Sequence, residues 1–264
     1  MNLAVARWTY GGTLVAVYLF LLLPLVFIVA VSLNAGNTPS FPPTELSLRW
    51  YAQALTDKSF IRGAITSGWL AATATLISTP IGVAAAFGIR RGRFRGKKLL
   101  ETLFLAPLAV PGIVLGIALL VAFSALEIRE APLRLLAAHL LLVLPYSIRT
   151  VLASLARMDP ALAEAAHTLG ASRWNAFRLV TLPLIKPGIA AGMAFSFILS
   201  FDDIAISVFL VDANTSTLPV AILSYLQYNF DPSIAAISSF SILLTLVIAG
   251  LLERVFGLQK LLGG

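Results

Sequence analysis

Residues 13–33 read TLVAVYLFLLLPLVFIVAVSL, an unbroken apolar stretch with no charged side chain and no alternation of polar and apolar positions. A helix crossing a bilayer needs roughly 20 mostly apolar residues, whereas barrel strands alternate over short segments. The stretch therefore predicts a membrane-spanning helix. Comparable runs follow it, and spans are predicted at 11–33, 65–89, 99–126, 133–156, 187–211 and 234–253. Hydrophobic residues make up 59% of the 264 positions and mean hydropathy is +0.92, more apolar surface than a soluble domain of this length buries. The expected fold class is all-α: a polytopic membrane protein of six transmembrane helices, forming one membrane domain over 1–264.

The first span is expected to stay in place as a helix. Its apolar run exceeds the roughly 7–15 residues of a signal-peptide core, and no small-x-small cleavage site lies in a polar flank. The chain has no cysteine, so neither disulfides nor thiolate metal sites enter the argument.

Orientation follows from basic residues, which in short loops mark the cytoplasmic side. With the N-terminus inside, Arg7, Arg90, Arg91, Arg93, Arg95, Lys97, Lys98, Arg157, Arg173, Arg178, Lys186, Arg254 and Lys260 fall on that side, most of the 19 Lys and Arg present. Arg49, Lys58, Arg62, Arg129 and Arg134 fall outside, accompanied by Glu45, Asp57, Glu127 and Glu130. Both termini are thus expected in the cytoplasm. The net charge of +7 is explained by topology, without a nucleic-acid partner.

The connection 34–59 is rich in Pro, Ser, Thr and Asn and carries Trp50-Tyr51, which suits an external segment at the membrane interface. RRGRFRGKK at 90–98 reads as a topogenic cluster facing lipid headgroups. It is not a phosphate loop. That pattern needs four residues between its glycines and Ser or Thr after the Lys, whereas Lys97 is followed by Lys98.

The cytoplasmic loop 157–186 holds EAAHTLGASRWNAFRLVTLP, from Glu164 to Pro183. Asp159-Pro160 makes a helix start, with Asp as N-cap and Pro at the first helical position. A short helix then runs to Gly170, which ends it with positive φ at little steric cost. Ser172 caps a second helix through Arg173, Trp174, Phe177 and Leu179, and Leu182-Pro183 and Pro187-Gly188 redirect the chain into the fifth span. The first helix offers Leu162, Ala165, Ala166 and Leu169 as a small apolar face. An ordinary amphipathic connector needs such apolar and basic residues but not this order of them.

The order Glu164-Ala165-Ala166, Gly170, Val180 and Leu182-Pro183 resembles the EAA signature of permease subunits in bacterial ATP-binding-cassette importers. Val180 stands where Ile is usual, a conservative change. The resemblance implies a type I importer permease fold whose cytoplasmic coupling helix enters a cleft of an ATPase subunit. Glu164, Ala165, Ala166, Gly170, Leu182 and Pro183 would then transmit nucleotide-driven closure to the spans. The chain itself would hold no cofactor and be no enzyme, ATP and Mg being bound by the partner ATPase. Further stretches, among them PYSIRTVLASLARMDPALAEAAHTLGA, LPLIKPGIAAGMAFSFILSFDDIAIS and STLPVAILSYLQYNFDPSIAAISS, look like the second permease subunit of spermidine/putrescine-type importers. That branch also includes importers of opines, aminophosphonates and other small amines. Implied partners are a second permease subunit, two ATPase copies, an external solute-binding protein and membrane lipid, in a bacterial inner membrane.

Asp202-Asp203 stands out within the fifth span. Counted from Pro187, Asp202 lies roughly 22 Å along a helix rising about 1.5 Å per residue, in the outer half of the bilayer. Carboxylates at that depth require hydration, pairing or neutralisation. Two readings fit: attraction of a cationic amine, or one Asp capping or breaking the helix and pairing with an Arg or backbone amide of a partner subunit to fix the outer gate. On a helix the two side chains would diverge by about 100°. His139 and Arg149 lie ten residues apart on the fourth span, just under three turns and about 80° apart in azimuth, so a pore-facing stripe is one reading; a hydrogen-bonded packing His, with Arg149 extended to the headgroups, is the other. Gly112 with Gly116, and Gly188 with Gly192, signal tight helix crossing. Tyr225, Tyr228, Phe230 and Asp231 suit an aromatic belt, with Tyr225 also a candidate amine contact. A secondary carrier coupled to protons or sodium would use Asp202, Asp203 or His139 and need no EAA segment, and a membrane scaffold would need neither.

Overall fold

Apolar stretches of bilayer length become long helices, which carry Pro24, Pro80, Pro145 and Pro187 in their interiors. The computed structural model describes residues 3–92 and 94–256; Arg93 and Lys260, assigned above to the cytoplasmic side, lie outside these. The helices are α1 (Leu3–Ser32), α2 (Arg49–Thr56), α3 (Lys58–Arg91), α4 (Lys97–Leu105), α5 (Gly112–Ala125), α6 (Ala131–Arg157), α7 (Pro160–Thr168), α8 (Arg173–Ala176), α9 (Leu182–Phe201), α10 (Ser207–Leu210), α11 (Leu218–Tyr228) and α12 (Ser233–Phe256). A 3-10 turn, Ala106–Ala109, follows α4, and a π turn, Phe177–Thr181, joins α8 to α9.

Among the described residues five helical segments are long and apolar enough to cross a membrane: Tyr10–Ser32, Lys58–Arg91, Ala131–Arg157, Arg173–Phe201 and Ser233–Leu251. The expected third span, 99–126, is instead a broken pair. Its halves, Lys97–Ala109 and Gly112–Ala125, meet at a 107° bend, and counting them together gives the sixth span. Pro107 and Pro111 lie at the break, where each lacks the N–H a continuous helix would use. The fifth span differs too. Expected at 187–211, it begins with α8 and ends at Phe201, and residues 202–206 break it before α10.

The chain forms two compact units, Met1–Ile61 with Ala221–Leu244, and Arg62–Val220 with the residues from Thr245. In the first, α1 exposes apolar side chains such as Phe20 (77%) and Leu23 (67%) around its circumference, which fits lipid as its solvent. Asn34 organises the connection after α1. Its amide donates to Thr38 O at 3.2 Å and Ser40 Oγ at 2.5 Å, and its carbonyl accepts from Gly36 N at 3.2 Å. Buried Asn34 therefore meets the demand for polar partners. Trp50 Nε1 donates to Gly36 O at 3.1 Å, and Ser32 Oγ and Tyr51 share a hydrogen bond of 2.7 Å.

In the second unit α6 packs lengthwise on α9. Small residues set the spacing: a Cβ on Gly188 would lie 2.2 Å from Ser154 Oγ and 2.8 Å from Thr150 O, and one on Gly192 would lie 2.6 Å from Thr150 Oγ1. Gly112 and Gly116 give the same closeness, to Ala205 at 2.9 Å and Phe209 at 2.7 Å. Both glycine pairs are thus packing devices. Ser147 Oγ on α6 lies 3.0 Å from Ser196 Oγ on α9 and 3.5 Å from Ser78 Oγ on α3, all buried. Interhelical hydrogen bonds inside membranes average about 0.6 kcal/mol, so this serine chain orients the three helices more than it stabilises them. Ala86 and Ile89 of α3, Ile148 and Val151 of α6 and Ile185 of α9 form the apolar cluster beside it.

Candidate functional site

The EAA segment folds as a short capped helix. Asp159 Oδ1 accepts from Ala161 N at 2.9 Å, and Pro160 occupies the first turn, where no intrahelical N–H is called for. At the other end Ala171 N donates to Ala166 O at 3.0 Å and Gly170 N to His167 O at 2.9 Å, with Gly170 at φ 86°. This is the Schellman closure, which needs a left-handed residue at Gly170's position. Ser172 Oγ then accepts from Asn175 N at 3.2 Å and starts α8.

The caps fix which side chains face outward. Ala163 is buried, while Glu164, Ala165 and Gly170 are exposed and Ala166 is half-buried. Leu162 and Leu169 are 47% and 89% exposed, so the apolar face is present and uncovered. Leu182 is half-buried and Pro183 exposed at the start of α9. One expectation changes here: the prolines do not redirect the chain. Helix continues from Arg173 to Phe201: Pro183 falls in the first turn of α9, just after the π turn at Phe177–Thr181, and Pro187 is carried within α9.

The far end of α9 carries the polar break. Its 20 residues correspond to roughly 30 Å of helix, so α9 alone connects the EAA side of this unit to the acids. Asp202 terminates α9, its N–H donating to Ile198 O at 3.1 Å. Asp202 is exposed as a residue, and its carboxylate makes no hydrogen bond or ion pair among the described residues. Asp203 is committed to the backbone: Oδ2 accepts from Ile206 N at 3.2 Å, Ser207 N at 2.9 Å and Ser207 Oγ at 3.0 Å, capping α10. The adjacent acids thus diverge because the helix stops, not by the 100° step of a continuing one.

His139 is fully buried beneath this break. Nδ1 lies 2.8 Å from Ser200 Oγ on α9 and Nε2 lies 3.0 Å from Ser207 Oγ on α10, with Asp203 Oδ2 4.0 Å away. Ser207 gives its single hydroxyl hydrogen to Asp203, so Nε2–H donates to Ser207 Oγ and Nδ1 accepts from Ser200. His139 therefore clips the two sides of the break together. Arg149, by contrast, is exposed, and the two residues form no common stripe. Ser200 and Ser207 were not singled out from the sequence; a serine on each side of an acidic pair within an apolar run is the signal that would have found them.

Tyr225 belongs to the other unit. Its hydroxyl donates to Asp231 Oδ2 at 2.8 Å, Asp231 Oδ1 accepts from Ser233 N at 2.8 Å, and the Phe60 and Tyr225 rings lie 5.1 Å apart. Burial, and then the bond to Asp231, push the Tyr225 hydroxyl above its ordinary value, so it remains a donor at physiological pH. Among the described residues no cluster of His, Asp and Glu has metal-site geometry.

Spanning helices, glycine-spaced crossings and an outward-facing capped helix on the connector between α6 and α9 are the features of a membrane permease. The chain belongs to the binding-protein-dependent transport system inner membrane component family, which matches residues 78–257. It is 32% identical over 247 residues to the spermidine/putrescine transport system permease protein PotC of Escherichia coli (strain K12), covering 92% of each chain. It is 30% identical to the putrescine transport system permease protein PotI of the same strain, over 84% of this chain and 81% of that one. A putative 2-aminoethylphosphonate transport system permease protein, PhnV of Salmonella paratyphi A, is 30% identical over 89% of each chain. Among solved structures, a bacterial transporter importing the acidic polysaccharide alginate superposes with TM-score 0.72 at 16% identity, covering 97% of this chain and 99% of that one. An amino acid ABC transporter superposes with TM-score 0.63 at 18% identity over 80% of this chain and 98% of that one. These likenesses give the fold, that of ABC importer permeases, and the chain is a transport subunit, not an enzyme.

Proposed function

We propose that this permease moves polyamines, putrescine or spermidine, into the cell as one half of an ATP-driven importer. The observation that carries the reading is the division of labour between the two acids: Asp203 is consumed in capping α10, while Asp202 is exposed and unpaired among the described residues. An unpaired carboxylate beside a break in a span attracts a cationic amine; its competing task is pairing with an Arg or backbone amide of the second permease subunit. Similarity to PotC and PotI along most of the chain supports the same solute class.

In this reading the charge distribution puts both termini and the EAA segment on the cytoplasmic side. Glu164, Ala165, Ala166 and Gly170 engage the ATPase, and Leu182 and Pro183 begin the helix that carries its motion outward. ATP and Mg belong to that ATPase, present in two copies. A second permease subunit completes the pathway and an external binding protein delivers the solute. Closure of the ATPases draws the coupling helices together, and α9 transmits the displacement to the break at 202–206. The exposed, uncovered face of α7 supports a docking role for it.

Reconstituted with its partners, the permease is expected to support ATP hydrolysis stimulated by putrescine- or spermidine-loaded binding protein and inhibited by vanadate. A second reading, transport of an aminophosphonate, is favoured by the similarity to PhnV. Stimulation by 2-aminoethylphosphonate with none by polyamines would establish it in place of the first. Uptake that is insensitive to vanadate and follows an ion gradient would overturn both.

A further inference from the structure

A cleft of about 640 Å3 opens between α3 and the helix that follows the EAA segment, with Val83 and Phe87 on one side and Trp174, Phe177 and Leu182 on the other. Its aromatic wall is ordered: the Phe87 and Phe177 rings meet edge-on at 5.1 Å, and Trp174 stacks on Phe177 at 5.7 Å. Trp174 nonetheless stays 65% exposed. The lining contains one charged residue, Arg173, and no acid. A second guanidinium, that of Arg91, lies 4.9 Å from the centre of the Phe87 ring. An apolar trough thus has one cation in its lining and a second over one of its lining rings, on a face that the basic residues assign to the inner membrane surface.

We propose that this cleft binds an anionic phospholipid, one acyl chain lying along the aromatic wall and the headgroup phosphate meeting Arg173 and Arg91. Polarity chooses the occupant. A peptide segment laid here would bring backbone N–H and C=O groups to a lining that offers them almost no partner, which is costly. An acyl chain brings none. Guanidinium groups match phosphate oxygens in charge and in donor geometry, and the cytoplasmic leaflet is the one enriched in anionic lipid. The site also has a mechanical position, since Arg173 and Trp174 directly follow the Ser172 cap of the connector. A bound chain wedges α3 against that connector, making the stiffness of the coupling element depend on lipid composition. The inference does not rest on which solute is carried.

The test uses the full importer complex in nanodiscs and reads Trp174 as the fluorescence difference between the unsubstituted complex and its Trp174→Phe variant. Brominated phosphatidylglycerol and brominated phosphatidylcholine serve as quenchers. Each basic residue at an anionic surface corresponds to about fivefold preference and two to about 25-fold, so phosphatidylglycerol should quench at about one twenty-fifth the mole fraction. Arg173→Gln with Arg91→Gln should erase that preference while leaving quenching by both lipids, and Ala84→Phe, which fills the cleft, should abolish quenching by either. Equal quenching by the two lipids in the unsubstituted complex overturns the headgroup contact. Quenching by neither overturns the proposal in favour of a protein cover. Native mass spectrometry of the unsubstituted complex decides independently of folding in the variants: retained phosphatidylglycerol in excess of phosphatidylcholine supports the site, and equal retention refutes it.

Discussion

Exchanging the two neighbouring acids one at a time separates transport from stability. Asp202 makes no side-chain hydrogen bond or ion pair among the described residues, so Asp202→Asn should change folding stability by no more than about 0.5 kcal/mol. Asp203→Ala removes an oxygen that accepts three hydrogen bonds at 3.2, 2.9 and 3.0 Å. Loss of a helix cap costs about 0.5–2 kcal/mol, with the larger values where freed donors stay buried, as the N–H of buried Ser207 would. For solute, a unit charge pair at about 4 Å is worth ~1 kcal/mol in water and ~4 kcal/mol at an effective dielectric near 20. The exposure of Asp202 puts it in the lower half of that range, about 1–2 kcal/mol, or about 5- to 30-fold in the solute concentration for half-maximal uptake. The assays are labelled putrescine uptake into proteoliposomes and thermal unfolding in detergent. Asp202→Asn should raise half-saturation at unchanged midpoint, and Asp203→Ala should lower the midpoint. Unchanged half-saturation in Asp202→Asn, with uptake lost in a fully stable Asp203→Asn, would refute the assignment and move the solute contact to Asp203.

Gly170→Val places a β-branched residue at φ 86°, a strain of about 1–2 kcal/mol confined to the end of α7; membrane insertion should persist while solute-stimulated ATP hydrolysis is lost. Gly188→Ala puts a methyl 2.2 Å from Ser154 Oγ and 2.8 Å from Thr150 O, and overpacking of this kind costs about 1–3 kcal/mol. Ser154→Gly should restore part of the lost thermal stability, since the Thr150 carbonyl remains. His139→Ala leaves Ser200 and Ser207 without their shared partner, at about 1–3 kcal/mol, read as a lower unfolding midpoint with faster hydrogen exchange around residues 200–210.

Local signals in the sequence were sufficient wherever the physics is local. Asp159 before Pro160, the Schellman glycine at 170 and the Ser172 cap concern hydrogen bonds between residues a few positions apart, and all three form as read. Two boundaries were misread because apolar composition does not report continuity of hydrogen bonding. The run 99–126 is apolar throughout, yet the helix turns through 107° near Pro107 and Pro111. The run 187–211 is equally apolar apart from its acids, yet the helix ends at Phe201 because Asp203 offers the next turn's N–H groups an alternative acceptor. On the amino-terminal side the prolines misled in the opposite sense, since Pro183 sits in the first turn of α9 and Pro187 within it without ending the helix.

Sequence alone determined that this chain lives in lipid, runs as helices and presents a capped EAA helix, because transfer of apolar residues and satisfaction of helix ends depend on composition and near neighbours. Only the tertiary structure decided what the polar residues within the spans do. Asp202 and Asp203 are chemically identical, and so are the serines at 200 and 207. Asp203 is tied to the backbone three and four residues on and Asp202 is left exposed, while α6 brings His139 against a serine on each side of the break. A hydrogen bond between residues 61 or 68 positions apart is set by how helices pack, and no local pattern records it.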